Sequence, residues 1–215
     1  FMANGKAINE PGSGYDPQHP YDNREKRFYQ SIVYDATWWY NDTIYTRQGI
    51  SSKNQIDLAD RDDATNTGYY LRKRLNDKIT LGADNWSNPG TSAQNYYYFR
   101  YAEVLLSLAE ALNEKNNGPN TEAYNLVNQV RTRAGVTGFS GMNYAQFKQA
   151  LLDERGRELY GEGQRRQDLV RNGTYISNAI ARGKTNAKPF MVLYPIPNAV
   201  IIQGRGVIVQ NAGYQ

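Results

Sequence analysis

The stretch RYAEVLLSLAEALNE at residues 100–114 decides the fold. Apolar residues recur in and around it at the spacing of one helical face, namely at Phe99, Ala102, Leu105, Leu106, Ala109 and Leu112. Ala, Leu and Glu are strong helix formers. The pattern therefore predicts a helix over 96–116, which Gly118 and Pro119 bring to a sharp end.

A second helix follows after a short turn. Asn120 or Thr121 is positioned as its N-cap, and Gly135 marks its end. Its apolar face is predicted at Ala123, Leu126, Val127, Val130 and Ala134. A short connection makes neighbouring helices antiparallel, so we expect a helical hairpin with the small contact residues of a tetratricopeptide-like pair.

Further helices are predicted downstream. Asn143 is positioned to cap a helix that runs to Tyr160, with Phe147, Leu151 and Leu159 on one stripe. Two short helices are expected around 164–172 and 174–182, and the later ones could form a second pair. The tail at 189–215 contains PFMVLYPIP and VIIQGRGVIVQ, which are extended in character.

The first 95 residues differ from this helical part. They are dense in turn formers, as in PGSGYDPQHPYDN at 11–23, with candidate strands at 31–40 and 68–75. The sequence thus predicts a mainly α fold with tetratricopeptide-like helix pairs in the C-terminal half. A loop-rich segment with short strands at 1–95 precedes the helical region at 96–215, and we expect the two to form one continuous domain.

Composition excludes several classes of enzyme. Among 215 residues there is no Cys and one His, so a Cys-rich zinc site and a multi-His metal cage are ruled out. His19 lies in a Pro-rich loop, and a loop of this kind is not expected to hold a catalytic general base in a fixed position. The net charge is +4, but acids interleave with the bases, which disfavours nucleic acid as a partner. No apolar run is long enough to span a membrane.

The densest charged stretch lies at 153–171 and has two interpretations. Glu154 and Glu158 share one helix face and are candidates for a glycosidase acid and base. Each carboxylate of this stretch also has an Arg three or four residues away, however, and a neighbouring Arg lowers the pKa that a general acid needs raised. We favour an ion-paired, partly buried helix surface over a catalytic site.

The aromatic run at Trp38, Trp39 and Tyr40 is the most suggestive functional feature. Flat aromatic rings stack on the apolar faces of sugars, and Asn41 beside them can hydrogen-bond hydroxyl groups. Successive strand residues point to opposite faces, so one of the two Trp side chains is expected to be exposed. Tyr45 and, in a later loop, Trp86 are added as candidates. The alternative is that these aromatics pack in the interior.

A metal site has weaker support. Asp57, Asp60, Asp62 and Asp63 supply oxygens suited to Ca²⁺, but the spacing lacks the Gly and Glu of an EF-hand. A solvated acidic loop is the favoured interpretation. No motif indicates a cofactor.

The helical half resembles a known family. RYAEVLLSLAEALNE at 100–114, LVNQVRTRAGV at 126–136, LLDERGRELYGEGQRRQDLVRNG at 151–173, LYPIP at 193–197 and QNAGY at 210–214 occur in the order found in the C-terminal half of the SusD/RagB family. MANGKAI, GYDPQHPYDNREKRF and TGYYLRK extend the resemblance upstream. The tail departs from the family at 204–206 and 212–214, where the family more often carries prolines.

The resemblance implies a role without catalysis. Members are surface lipoproteins of Bacteroidetes that serve polysaccharide utilisation, bind a glycan or other nutrient, and deliver it to a SusC-like TonB-dependent outer-membrane transporter. We therefore expect a fragment of such a protein, surface-exposed on the outer membrane, with its lipid anchor outside this chain. Two alternatives remain open: a tetratricopeptide-like scaffold that binds protein, and a glycoside hydrolase that uses the carboxylates at 153–168.

Overall fold

The computed structural model describes residues 1–39, 42–46, 67–75, 95 and 97–214, with Asp42 described in its backbone alone. Contacts divide the chain into one unit at Phe1–Glu162 and a second at Gly163–Gln215. Most of the described regular structure is helical, with a few short strands, which confirms the predicted mainly α, tetratricopeptide-like class. None of the helices in the described part of the chain is long and apolar enough to cross a membrane.

Three helices make the core of the first unit. α2 (Tyr101–Asn116), α3 (Thr121–Arg133) and α4 (Tyr144–Glu158) pack through the stripes that periodicity predicts. Within the core, the Phe147 ring meets Tyr124 and Phe139 edge to face. The fully or nearly fully buried members of this core are Leu105, Leu106, Ala109, Ala123, Val127, Val130, Phe147 and Leu151.

Local sequence signals set most of the helix ends. The Asn120 side chain accepts a hydrogen bond from Ala123 N at 2.8 Å, and Asn143 forms a reciprocal capping box with Gln146. α2 begins at Tyr101, five residues later than predicted. Arg100 has an extended backbone, and its side chain bonds Glu162 and the Glu158 carbonyl, so tertiary contacts hold it outside the helix.

The described residues of the loop-rich part contain α1 (Lys26–Ser31) and four short strands. β1 (Ile32–Val33) pairs with β4 (Tyr70–Leu71), and β2 (Thr37–Trp39) pairs with β3 (Asp42–Ile44), both antiparallel. The prediction of one strand at 31–40 is wrong in detail. A turn at residues 34–37, with Ala36 at a positive φ of 60°, divides it into two strands that belong to different sheets.

The second unit contains α5 (Arg165–Arg171), α6 (Tyr175–Ala181), a 3₁₀ turn (Pro189–Val192) and α7 (Asn198–Gln203). The two short helices confirm the prediction, whereas the extended tail is only partly right. Pro197 ends the extended LYPIP segment and directly precedes α7, because its fixed φ suits a helix start. The predicted boundary near residue 95 separates a loop-rich sequence from one with helical periodicity, and it stays a prediction.

Candidate functional site

The hairpin β2–β3 carries the predicted aromatic site. Trp38 lies opposite Thr43, Thr37 opposite Ile44, and Trp39 opposite Asp42. Because side chains alternate along a strand, Trp38 and Thr43 share one face of the hairpin. Tyr45 follows β3, two residues beyond Thr43, and alternation therefore assigns it to that face too.

The two Trp side chains differ in exposure. Trp38 is 66% exposed, Trp39 is half-buried, and Thr37 is buried. The guanidinium of Arg72 lies 5.8 Å from the centre of the Trp39 ring. β2 thus presents the broad, flat indole of Trp38 to solvent. The next residue, Trp39, packs on the opposite face of the same strand.

Hydrogen bonds from outside the hairpin hold it in place. Asp35 accepts a bond from Thr46 N at 2.9 Å, which ties the end of the hairpin to its start. Thr37 Oγ1 accepts from Tyr34 N at 3.0 Å and secures the turn before β2. Arg72 donates to the Tyr29 carbonyl at 3.1 Å. An exposed ring on a fixed backbone loses little conformational freedom when a ligand stacks on it.

An aromatic cluster that sequence reasoning missed lies beside the hairpin. The rings of Tyr21 and Tyr34 have centroids 4.6 Å apart, and those of Phe28 and Tyr34 are 5.1 Å apart. Tyr29 meets Phe28 edge to face, and its hydroxyl donates to the Tyr21 carbonyl at 2.7 Å. Burial raises the pKa of Tyr21 to about 12. These rings pack the loop-rich part, and the high Tyr count of the sequence was the one available signal.

The carboxylates of Glu154 and Glu158 form a second notable site, and it is buried. Glu154 is 0% exposed and Glu158 is 2% exposed. A single nitrogen, Arg27 Nη1, bridges them at 2.7 Å and 3.0 Å. Arg131 and Arg157 also pair with Glu154, at 2.6 Å and 2.9 Å. The predicted helix surface is therefore an interior charge cluster that connects α1, α3 and α4.

The local pairing expected for these carboxylates is only partly right. The pairs Glu154–Arg157 and Asp168–Arg171 form as predicted. Glu162 pairs with Lys73 and Arg100, which are distant in sequence. The side chain of Glu162 is nearly buried, and the fold brings Lys73 and Arg100 to it. Spacing along the sequence does not predict such long-range pairs.

The electrostatics of the cluster do not suit a general acid. Burial raises the pKa of Glu154, but the guanidinium groups of Arg157, Arg27 and Arg131 outweigh burial and hold it below its ordinary value. Burial likewise raises the pKa of Glu158, and Arg100, Arg133 and Arg27 reverse this effect. A glycosidase acid requires the opposite shift, so both groups are ionised framework residues at neutral pH.

Several predicted residues lie outside the described ranges. These are Tyr40, Asn41 and Trp86 among the aromatic candidates, and Asp57, Asp60, Asp62 and Asp63 among the calcium candidates. In the ranges that the structure describes, no group of three His, Cys, Asp or Glu side chains is placed to hold a metal ion. The calcium site stays a prediction.

The folded chain defines a class: a helical protein of tetratricopeptide-like pairs with an exposed aromatic hairpin. A family profile described as the SusD family matches residues 1–214. The chain belongs to the SusD family, which confirms the resemblance noted in its sequence.

Individual relatives agree with this assignment. The chain is 36% identical over 162 residues to SusD-like protein P25 of Formosa agariphila, covering 68% of this chain and 29% of that protein. It is 30% identical over 199 residues to the starch-binding protein SusD of Bacteroides thetaiotaomicron, covering 81% and 35%. The chain thus spans about a third of the length of these curated relatives.

Solved structures show the same fold. A SusD-like protein of Bacteroides fragilis superposes with a TM-score of 0.74 at 21% identity, covering 100% of this chain and 45% of that one. A laminarin-binding SusD-like protein superposes with a TM-score of 0.52 at 31% identity, covering 71% and 30%.

Proposed function

We propose that this chain is part of a cell-surface glycan-binding protein without catalytic activity. In this role it binds an oligosaccharide and delivers it to a SusC-like TonB-dependent transporter. A lipid anchor outside this chain would hold it on the outer membrane. Membership of the SusD family supports this role, and two of the relatives are described as binding starch and laminarin.

The exposed Trp38 ring is the observation that carries the proposal. It is a large flat apolar surface left to solvent on a hairpin whose backbone is fixed at both ends. Such a ring costs free energy in water unless a ligand covers it, and a pyranose ring has a matching apolar face. Thr43 on the same face adds a hydroxyl. Tyr45 and the predicted contacts Tyr40, Asn41 and Trp86 complete the proposed site. The candidate Trp39 is left out of it, because it is half-buried on the face of β2 opposite Trp38.

The test is quenching of intrinsic tryptophan fluorescence by a panel of oligosaccharides, with the full-length protein and its variants. Trp38→Ala should weaken binding by about 10-fold or more, because it removes a whole stacking surface. Trp38→Tyr keeps a flat ring and should retain most of the affinity. Since Trp38 is itself a reporter, calorimetry should accompany the fluorescence.

Trp39→Phe is the matched control, since it changes the neighbouring ring while leaving a half-buried aromatic anchor in place. Binding that is unchanged in Trp38→Ala would remove the hairpin from the site. A wild-type protein that binds no glycan in the panel would contradict the proposed function itself.

A protein-binding scaffold is the second candidate, and the outer face of α2 favours it. Tyr101, Val104 and Leu108 follow one another at helical spacing and are all exposed. An apolar stripe of this kind is typical of a helix that packs against another element. Loss of transporter capture in Val104→Glu, with glycan binding retained, would show that this face binds protein.

The hydrolase alternative makes a different demand. It requires activity on a polysaccharide that disappears in Glu158→Gln while the protein stays folded. The ion pairs of Glu158 with Arg27, Arg100 and Arg133 argue against this outcome.

A further inference from the structure

The second unit contains an exposed aromatic ring that the hairpin site does not include. Tyr194, in the LYPIP segment, is 63% exposed. The guanidinium of Arg166 lies 3.7 Å from the centre of its ring, and the same guanidinium lies 5.1 Å from the ring of Tyr175. The guanidinium of Arg166 thus covers one face of the Tyr194 ring. The exposed surface of this side chain is therefore the opposite face and the edge of the ring.

The cation beneath the ring is itself fixed. Arg166 Nη2 donates to the carbonyls of Met191 and Val192, at 3.2 Å and 3.0 Å. Through residues 163–214, as the structure describes them, neither Nε nor Nη1 of this guanidinium forms a hydrogen bond. The half-buried Arg166 therefore combines a structural role with donors that stay available beside the ring.

The backbone around Tyr194 is held by the tail of the chain. Asn211 Nδ2 donates to the Tyr194 carbonyl at 2.7 Å, and the Tyr214 hydroxyl donates to the Leu193 carbonyl at 2.8 Å. The Gln210 side chain bonds both the N–H and the carbonyl of Ile196, at 2.7 Å and 2.9 Å. Pro195 restricts the same segment further. The ring is thus presented on a backbone secured on both sides of it.

We propose that Tyr194 and Arg166 form a second carbohydrate contact, in which a pyranose ring stacks on Tyr194 and a hydroxyl or carboxylate oxygen accepts from Arg166. The sugar would stack on the face of Tyr194 that Arg166 leaves open, and a flat ring with polar donors close by is the combination that sugar recognition uses. The inference rests on the proposed glycan-binding function. It adds a contact in a part of the chain that the sequence patterns did not indicate.

The test compares glycan affinity in variants of the full-length protein, by calorimetry with a ligand that the wild type binds. Tyr194→Ala is expected to weaken binding about 3- to 10-fold, and Tyr194→Phe to leave it unchanged, because the stacking surface is kept. Tyr194→Leu keeps an apolar side chain without a flat ring, so it should weaken binding even where the Ala variant folds poorly. Ile202→Ala removes another largely exposed apolar side chain of the same unit, from α7, and serves as the control.

Three results would overturn the inference in different ways. Affinity that is equal in Tyr194→Ala and Tyr194→Leu to that of the wild type, while Trp38→Ala binds weakly, removes the second contact and leaves the proposed function intact. Retained glycan affinity with lost capture of the transporter would assign Tyr194 to a protein interface instead. A wild type that binds no glycan removes both proposals.

Discussion

Two parts of the first unit reach their structure by different routes. In α2–α4 the residues that form each buried stripe lie three, four or seven positions apart, and local side-chain caps begin α3 and α4. In the described residues of the loop-rich part, long-range contacts join groups distant in sequence, such as Arg27 with Glu154 and Lys73 with Glu162. The comparison teaches that α1 and the segment after β4 are joined to the helical core through buried or partly buried charges.

This difference explains how much the sequence could predict. Periodicity located all five helices from α2 to α6, because a helical face repeats within the segment itself. The division of 31–40 into two strands was missed, since a positive φ is uncommon for Ala and the residue type at position 36 therefore does not indicate a turn. The predicted exposure of one Trp agrees with the structure, because the alternation of side chains along a strand is a local rule. The contact between Tyr21 and Tyr34 could not be predicted in this way, because it forms only when the fold brings the two rings together.

The largest effect should come from breaking the charge cluster that joins the two parts. Glu154→Gln leaves Arg27, Arg131 and Arg157 buried without their shared carboxylate, and removing one member of a buried ion pair costs about 3–5 kcal/mol. Denaturant unfolding should show this loss. Hydrogen exchange should rise most around Arg27, in the loop-rich part.

Glu114→Gln is the matched control for that variant. Glu114 pairs with Lys148 at 2.8 Å on the surface, and an exposed pair contributes at most about 1 kcal/mol. Equal losses in the two variants would mean that the cluster does not join the two parts.

A smaller effect is expected where stability is set locally. Asn120→Ala removes the side-chain cap of α3 and should cost about 1 kcal/mol in the free energy of unfolding. Asn120→Asp keeps an accepting oxygen at the helix N-terminus, and should retain most of the stability. Fluorescence of the hairpin Trp residues should be native-like in both. A change in that signal would contradict the local nature of the cap.

The smallest effect on stability should come from the residue with the largest proposed effect on binding. Trp38→Ala deletes a mostly exposed side chain, and a surface substitution of this kind usually changes the free energy of unfolding by no more than about 0.5 kcal/mol. Phe28→Ala, in the neighbouring buried cluster, should cost about 3 kcal/mol or more by the same measurement. If Trp38→Ala is as destabilising as Phe28→Ala, the indole is a packing residue and its exposure is not evidence for a ligand. A neutral Trp38→Ala would mean instead that stability does not require the large apolar ring at this position, which is the result that a binding role for the exposed indole requires.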